Sequence, residues 1–152
     1  LSVRLTFHIR LIAMAFVYTT TIRFADVDAA QVVYFSRVYE MAHAAYEEVV
    51  AQSGLPIRGV FERREWGMPL VHTEAQYRRP WRLGERVRIT GSIDEVTDKS
   101  VAFTYRFMDD DDQERTVVNM RHVFVSLRSF ESCFVPAEFT EAMRGIGLLD
   151  ER

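Results

Sequence analysis

The stretch that most constrains this chain runs from Arg23 to Phe35 and on through a helical segment to Gln52. From Ser36 onward, apolar residues fall at Val38, Met41, Ala42, Ala45, Tyr46, Val49 and Val50. That spacing makes one stripe on a 3.6-residue period, so the segment is expected to be an amphipathic helix with one face in a core. Arg37, Glu40, His43, Glu47, Glu48 and Gln52 occupy the opposite side. Ser36 is expected to be its N-cap, and Gly54 falls where a helix C-terminus takes a left-handed residue. A β-rich alternating strand over residues 16–24 precedes the helix, with Phe16, Tyr18, Ile22 and Phe24 on one face. Between strand and helix stand two carboxylates, Asp26 and Asp28. Asp28 therefore falls near the positive end of a helix dipole, beside backbone N–H groups that have no intrahelical partner.

The remainder of the chain reads mainly as strands. Residues 54–65 carry Gly, Pro and charge and are expected to be a loop with at most one helical turn. Extended runs follow at 67–79, 85–96, 99–108 and 115–128; Pro69 marks the first as an edge or bulge. Asp109 to Asp112 form an acidic hairpin turn, in which neighbouring side chains diverge and do not build a cation shell. Pro136 opens a short C-terminal helix. The order is strand, helix, then four strands with short connections, which makes the sheet antiparallel. The expected class is α+β: a five-stranded antiparallel sheet wrapped around one long central helix. Such a sheet is expected to leave an apolar outer face for a partner subunit to cover, implying a homodimer or homotetramer.

Length and charge narrow the function. The 152 residues suit one domain, and a formal net charge of −3 argues against general nucleic-acid binding. The single cysteine, Cys133, allows no internal disulfide and fits a reducing, cytoplasmic setting. No apolar run approaches a membrane span. Residues 1–13 alternate in strict period 2; they are expected to be an N-terminal extension, with the domain over 14–152, the alternative being an added edge strand. No serine stands in a G-x-S-x-G setting.

Three stretches resemble the 4-hydroxybenzoyl-CoA thioesterase family of hotdog-fold proteins. They are Phe24-Ala25-Asp26-Val27-Asp28-Ala29-Ala30 through Phe35 with its helix, Met68 to His72 with Tyr77 to Glu85, and Met120 to Val125. Within that family the chain is similar to the branch that includes 1,4-dihydroxy-2-naphthoyl-CoA thioesterases. The resemblance covers about residues 16–145. It implies a hotdog fold and acyl-CoA hydrolysis at a subunit interface, with no cofactor and no metal. It implies that Asp28 is the catalytic carboxylate, as base or nucleophile, and that the Phe35 N–H points at the thioester carbonyl. The family usually has Gly where this chain has Gln31, and some relatives carry His where it has Phe35.

The chemistry agrees with that assignment. A thioester carbonyl needs its developing oxyanion stabilised and a nucleophile activated, which a helix N-terminus and a carboxylate supply. Asp26 is expected to hold its own loop instead. Gln31, Tyr34 and His72 are further candidates for substrate contact. Arg78 and Arg79 have the chemistry for CoA phosphates, although neighbours in a strand point to opposite faces and Lys99 and Arg128 are equally eligible. The alternative is a non-catalytic hotdog module that binds an acyl or aromatic ligand. A dehydratase would want a histidine paired with the carboxylate, and Phe35 supplies none.

Overall fold

The computed structural model of the protein describes residues 16–150. The extension expected over residues 1–13 lies outside the described residues. The chain begins with β1 (Val17–Thr21), a 3-10 turn at Phe24–Asp26 and the long helix α1 (Arg37–Ser53). A short helix α2 (Ile57–Glu62) follows, then β2 (Trp66–Gly67), β3 (Leu70–Tyr77), β4 (Arg86–Val96) and β5 (Ser100–Met108). The chain ends with β6 (Glu114–Val123), β7 (Val125–Ser126) and α3 (Ala137–Gly145). Among the described residues five strands form one antiparallel sheet in the order β1-β4-β5-β6-β3, with β2 and β7 paired separately. This is the expected arrangement of five antiparallel strands and one long helix.

The helix stripe explains the packing. Val38, Ala42, Ala45, Val49 and Val50 are buried, and Met41 and Tyr46 pack against the same core. Ala42 and Ala45 have no exposed surface, and their small side chains let α1 lie close to the sheet. Opposite them, β5 presents Val101, Phe103, Tyr105 and Phe107, and β4 presents Val87 and Ile89. Burying each large side chain contributes roughly 1.5–3 kcal/mol, so this single layer dominates the stabilisation. Gly54 ends the helix at φ 71°, the left-handed residue that the sequence requires there.

Four features depart from expectation. Ser36 holds the N-cap position but its side chain makes no capping hydrogen bond. Its backbone is already helical (φ −73°, ψ −19°), whereas a capping hydroxyl reaches the next amides from extended backbone. Phe24 is 82% exposed, because the chain turns into the 3-10 turn after Ile22 and the strand alternation stops. The run 67–79 is split at Met68–Pro69, so Trp66–Gly67 pairs with β7 and only residues 70–77 join the main sheet.

The fourth departure concerns the outer face of the sheet, which is polar. The register turns Thr90, Ser92, Thr104, Arg106, Asn119 and Arg121 outward, opposite the buried β5 row. Thr104 donates to Asn119 Oδ1 at 2.7 Å and also meets Asp94, while Asn119 donates to Glu74 at 2.9 Å. Arg121 pairs with Glu95 at 2.7 Å and Arg106 with Glu114 at 2.7 Å. Period-2 alternation sends the large apolar residues of these strands inward, so among the described residues the outer face of β4, β5 and β6 is mainly polar. Exposed apolar surface lies instead along the β3 edge, at Leu70 (46%), Val71 (58%) and Tyr77 (49%).

Candidate active site

The loop between β1 and α1 is a tight reversal. Val27 and Val33 form an isolated antiparallel bridge, and the Asp28 N–H donates to the Val32 carbonyl at 3.0 Å. The Gln31 N–H returns to the Asp28 carbonyl at 2.9 Å, closing a four-residue turn. Gln31 has φ 63°, the left-handed region. This is why glycine suits the position: any other residue sets its Cβ against the backbone.

The two carboxylates are held differently. Asp26 is 3% exposed. It accepts the Arg23 backbone N–H at 2.8 Å and the Arg23 guanidinium at 3.3 Å, and its carbonyl accepts the Tyr34 N–H at 2.9 Å. It is a fastener of the loop. Asp28 is exposed, and its Oδ1 accepts the Ala30 N–H at 2.8 Å. That bond fixes the carboxylate's rotamer, while Oδ2 has no partner among the described residues.

The helix start is prepared by the same loop. The Tyr34 carbonyl accepts the Arg37 N–H at 2.9 Å, and the Ser36 carbonyl accepts the Tyr39 N–H at 3.1 Å. Among the described residues the Phe35 and Ser36 N–H groups have no partner. The Phe35 carbonyl accepts the Tyr77 hydroxyl at 2.6 Å. Tyr34 and Phe35 are 47% and 57% exposed, with ring centroids 4.8 Å apart. The two aromatic rings belong to the same short stretch as the unpartnered amides.

The chain after β3 braces this loop. The Val33 N–H donates to the Trp81 carbonyl at 2.9 Å. Trp81 is 3% exposed, donates its indole N–H to Thr116 at 3.1 Å and carries the Arg115 guanidinium 4.0 Å from its ring. A cavity of about 270 Å³ lies between the two segments, lined by Val32, Val33, Val38 and Trp81 with Tyr77, Arg78 and Arg79 at its margin.

The structure thus brings Asp28, Gln31, Tyr34, Phe35, Arg78 and Arg79 to one end of the molecule. The two arginines differ. Arg78 is paired with Glu114, whereas Arg79 is exposed and unpaired among the described residues. His72 stands apart within one chain. It pairs across the sheet with Arg121 on the outer face, and its Nε2 lies 3.9 Å from Glu74. Five residues of strand, about 17 Å, separate it from Tyr77. His43 is exposed beside Glu47, and His122 is buried with Nδ1 against the Met68 carbonyl at 2.9 Å. Burial lowers the His122 pKa from its ordinary value, so the ring is a neutral packing residue. Sequence reading missed Tyr77 and Trp81, because strand register alone decides that they meet the Asp28 loop. The one available signal is the position of an aromatic at each end of Tyr77-Arg78-Arg79-Pro80-Trp81, where the strand stops.

Comparison with known proteins agrees with this architecture. The profile of the Thioesterase-like superfamily matches residues 22–143. A 1,4-dihydroxy-2-naphthoyl-CoA hydrolase of Rippkaea orientalis is 38% identical over 89 residues, 59% of this chain and 64% of that protein. The matched stretch thus spans just under two thirds of that relative. The corresponding protein of Thermosynechococcus vestitus is 28% identical over 110 residues, 72% of this chain and 75% of its own. A 1,4-dihydroxy-2-naphthoyl-CoA thioesterase from Synechocystis superposes with a TM-score of 0.79 at 24% identity, covering 85% of this chain and 95% of that one. A gentisyl-coenzyme A thioesterase superposes with a TM-score of 0.74 at 25% identity, covering 83% and 98%. With the helix, sheet and Asp28 loop all falling inside the matched span, the chain belongs to the thioesterase-like superfamily and has its hotdog fold.

Proposed function

We propose that this protein hydrolyses an aromatic acyl-CoA thioester, with Asp28 as general base or nucleophile and the Phe35 N–H as oxyanion donor. The observation that carries the reading is Asp28 itself. One oxygen is pinned by the Ala30 N–H and the other is open, in a loop that ends on the unpartnered amides of a helix N-terminus. As base, Asp28 takes a proton from water, whose oxygen adds to the thioester carbon. The carbonyl electrons move onto oxygen and are held by the Phe35 N–H. Collapse breaks the C–S bond, and the CoA thiolate leaves and takes up the proton. As nucleophile, Asp28 adds to the thioester carbon and expels the CoA thiolate as the C–S bond breaks, giving an anhydride; water then opens it to the free acid and the Asp28 carboxylate, and the thiolate takes up the proton released. An oxyanion donor is worth about 3 kcal/mol in such a step.

An aromatic acyl group is favoured by Tyr34 and Phe35 beside these amides, and by relatives whose names specify naphthoyl and gentisyl thioesters. Arg79, unpaired and exposed, is the better candidate for a CoA phosphate, with Arg78 already engaged by Glu114. Gln31 lines the same approach. The reading includes a homodimer formed by pairing two β3 edges about a two-fold axis. Leu70 and Val71 support it, as exposed apolar residues on an edge strand that, among the described residues, pairs with β6 alone. Antiparallel pairing sets one copy's Leu70 end against the other's Tyr77 end, so His72 would approach the partner's Asp28. A homotetramer remains the larger form of the same assembly. A cytoplasmic location fits the single cysteine, and no helix among the described residues is long and apolar enough to cross a membrane.

The test is thiol release from a panel of aromatic and straight-chain acyl-CoAs. Turnover confined to the aromatic members is expected. Saturable binding without thiol release would make the protein a ligand-binding module.

A further inference from the structure

Phe35 is held at one end only. Among the described residues its N–H has no partner, while its carbonyl is engaged by a side chain from another element, the Tyr77 hydroxyl at 2.6 Å. In a regular helix that carbonyl would accept the amide four residues on, from Tyr39. Here the Tyr39 N–H turns to Ser36 at 3.1 Å instead, which leaves the Phe35 carbonyl free for the phenol. The carbonyl of Phe35 and the N–H of Ser36 are the two ends of one planar peptide. Holding the first fixes the direction of the second. A carbonyl that accepts a strong hydrogen bond also polarises its amide, and the N–H becomes the better donor.

Tyr77 stands at the margin of the cavity with its hydroxyl on the Phe35 carbonyl. It sits at the last position of the edge strand β3, half-exposed, and its ring does not belong to the buried core. The phenol pKa is pushed up to about 12, first by desolvation and then by the neighbouring Tyr39 hydroxyl, so the group stays a donor through the working pH range. Four residues on, the Trp81 carbonyl accepts the Val33 N–H and ties the same segment to the loop.

We infer that Tyr77 is a positioning residue for the thioesterase step, which orients and polarises the Phe35–Ser36 peptide so that the Ser36 N–H joins the Phe35 N–H as a second oxyanion donor. The inference rests on the thioesterase reading and adds to it a donor and the side chain that sets it. Tyr77 engages a carbonyl, so it leaves the N–H groups of the first turn open for substrate.

The experiment compares wild type, Tyr77→Phe and Asp28→Asn on benzoyl-CoA and 4-hydroxybenzoyl-CoA, with circular dichroism melts of each. Tyr77→Phe keeps the ring and removes only the hydroxyl. It is expected to lose about tenfold in kcat, less than the loss of a direct donor, with KM within about twofold and an unchanged melt. Replacing Tyr77 by 3-fluorotyrosine supplies a readout that a packing role would not move. The stronger donor should hold or raise kcat at neutral pH. It should then lose activity at an alkaline pH where wild type does not, as the acidified phenol ionises. Unchanged kcat in Tyr77→Phe beside an inactive Asp28→Asn would overturn this inference alone, as would a loss confined to KM. Absence of hydrolysis by wild type, or full activity in Asp28→Asn, would overturn the thioesterase reading and this inference with it.

Discussion

Asp26 and Asp28, two residues apart in one loop, have opposite environments. Asp26 is 3% exposed and bonded to the backbone and guanidinium of Arg23, whereas Asp28 is exposed with one oxygen open. The first makes the loop rigid enough for the second to be placed. Division of labour between paired carboxylates follows from burial and partners, since both side chains carry the same chemistry.

Replacing Asp28 by Asn tests the second of these roles. The amide oxygen of Asn can still accept the Ala30 N–H that Asp28 now accepts at 2.8 Å, so the turn should persist. The loss of a base or nucleophile should lower kcat by about a hundredfold or more. Thiol release and a thermal melt on the same preparation decide it. A variant that melts normally and hydrolyses at the wild-type rate would leave Asp28 as a turn residue.

Gln31→Gly should stabilise the protein. The left-handed conformation at φ 63° costs a non-glycine residue roughly 1–2 kcal/mol, and glycine returns about half of that through unfolded-chain entropy. A net gain of about 0.5–1 kcal/mol in urea denaturation is the expected result. The same variant should shift relative kcat/KM among hydroxylated, aromatic and straight-chain thioesters if the side chain touches substrate. A uniform change across the panel would assign the effect to loop geometry alone.

If two copies pair through β3 as proposed, Val71→Lys should separate them. Val71 is 58% exposed on the free side of β3, and a lysine there opposes edge-to-edge pairing. Light scattering should fall from dimer to monomer mass, and hydrolysis should fall with it. An active wild-type monomer at micromolar concentration would contradict the β3 pairing.

The buried His122 predicts a pH dependence of stability. Burial depresses its pKa below the model-peptide value of 6.5, the Met68 carbonyl opposing this in part. Above that value the ring is neutral folded and unfolded, and it contributes no slope. As the pH falls through 6.5 the unfolded chain takes up a proton that the native ring refuses, so stability drops until the native ring also protonates. Urea midpoints at pH values on either side of this window should show the drop in wild type. His122→Phe should show a shallower one, after a constant loss of about 1 kcal/mol for the Met68 bond. Parallel pH profiles of the two proteins would mean that His122 does not titrate in this range.

Periodicity by itself determined the long helix and its buried stripe, because residues three and four apart share a helix face whatever surrounds them. It also determined the antiparallel sheet, because alternation and short connections leave no other pairing. Gly54 was legible for the same reason, since backbone dihedrals are local; that position 31 favours glycine came from the family resemblance, and the left-handed φ there from the structure. What lay beyond the sequence was everything set by register. Alternation shows that a strand has two faces, and only pairing with β4 and β6 decided that the outer one is polar. The split at Pro69 turned a single expected strand into two that belong to different sheets. Tyr77 reaches the Phe35 carbonyl across a sequence separation of 42. Asp28 could be singled out from its neighbours in the chain, but the hydroxyl that orders the peptide beside it belongs to a distant strand. Its meeting with Phe35 depends on how β3 lies against β6, and that is a property of the packed sheet, which no local pattern encodes.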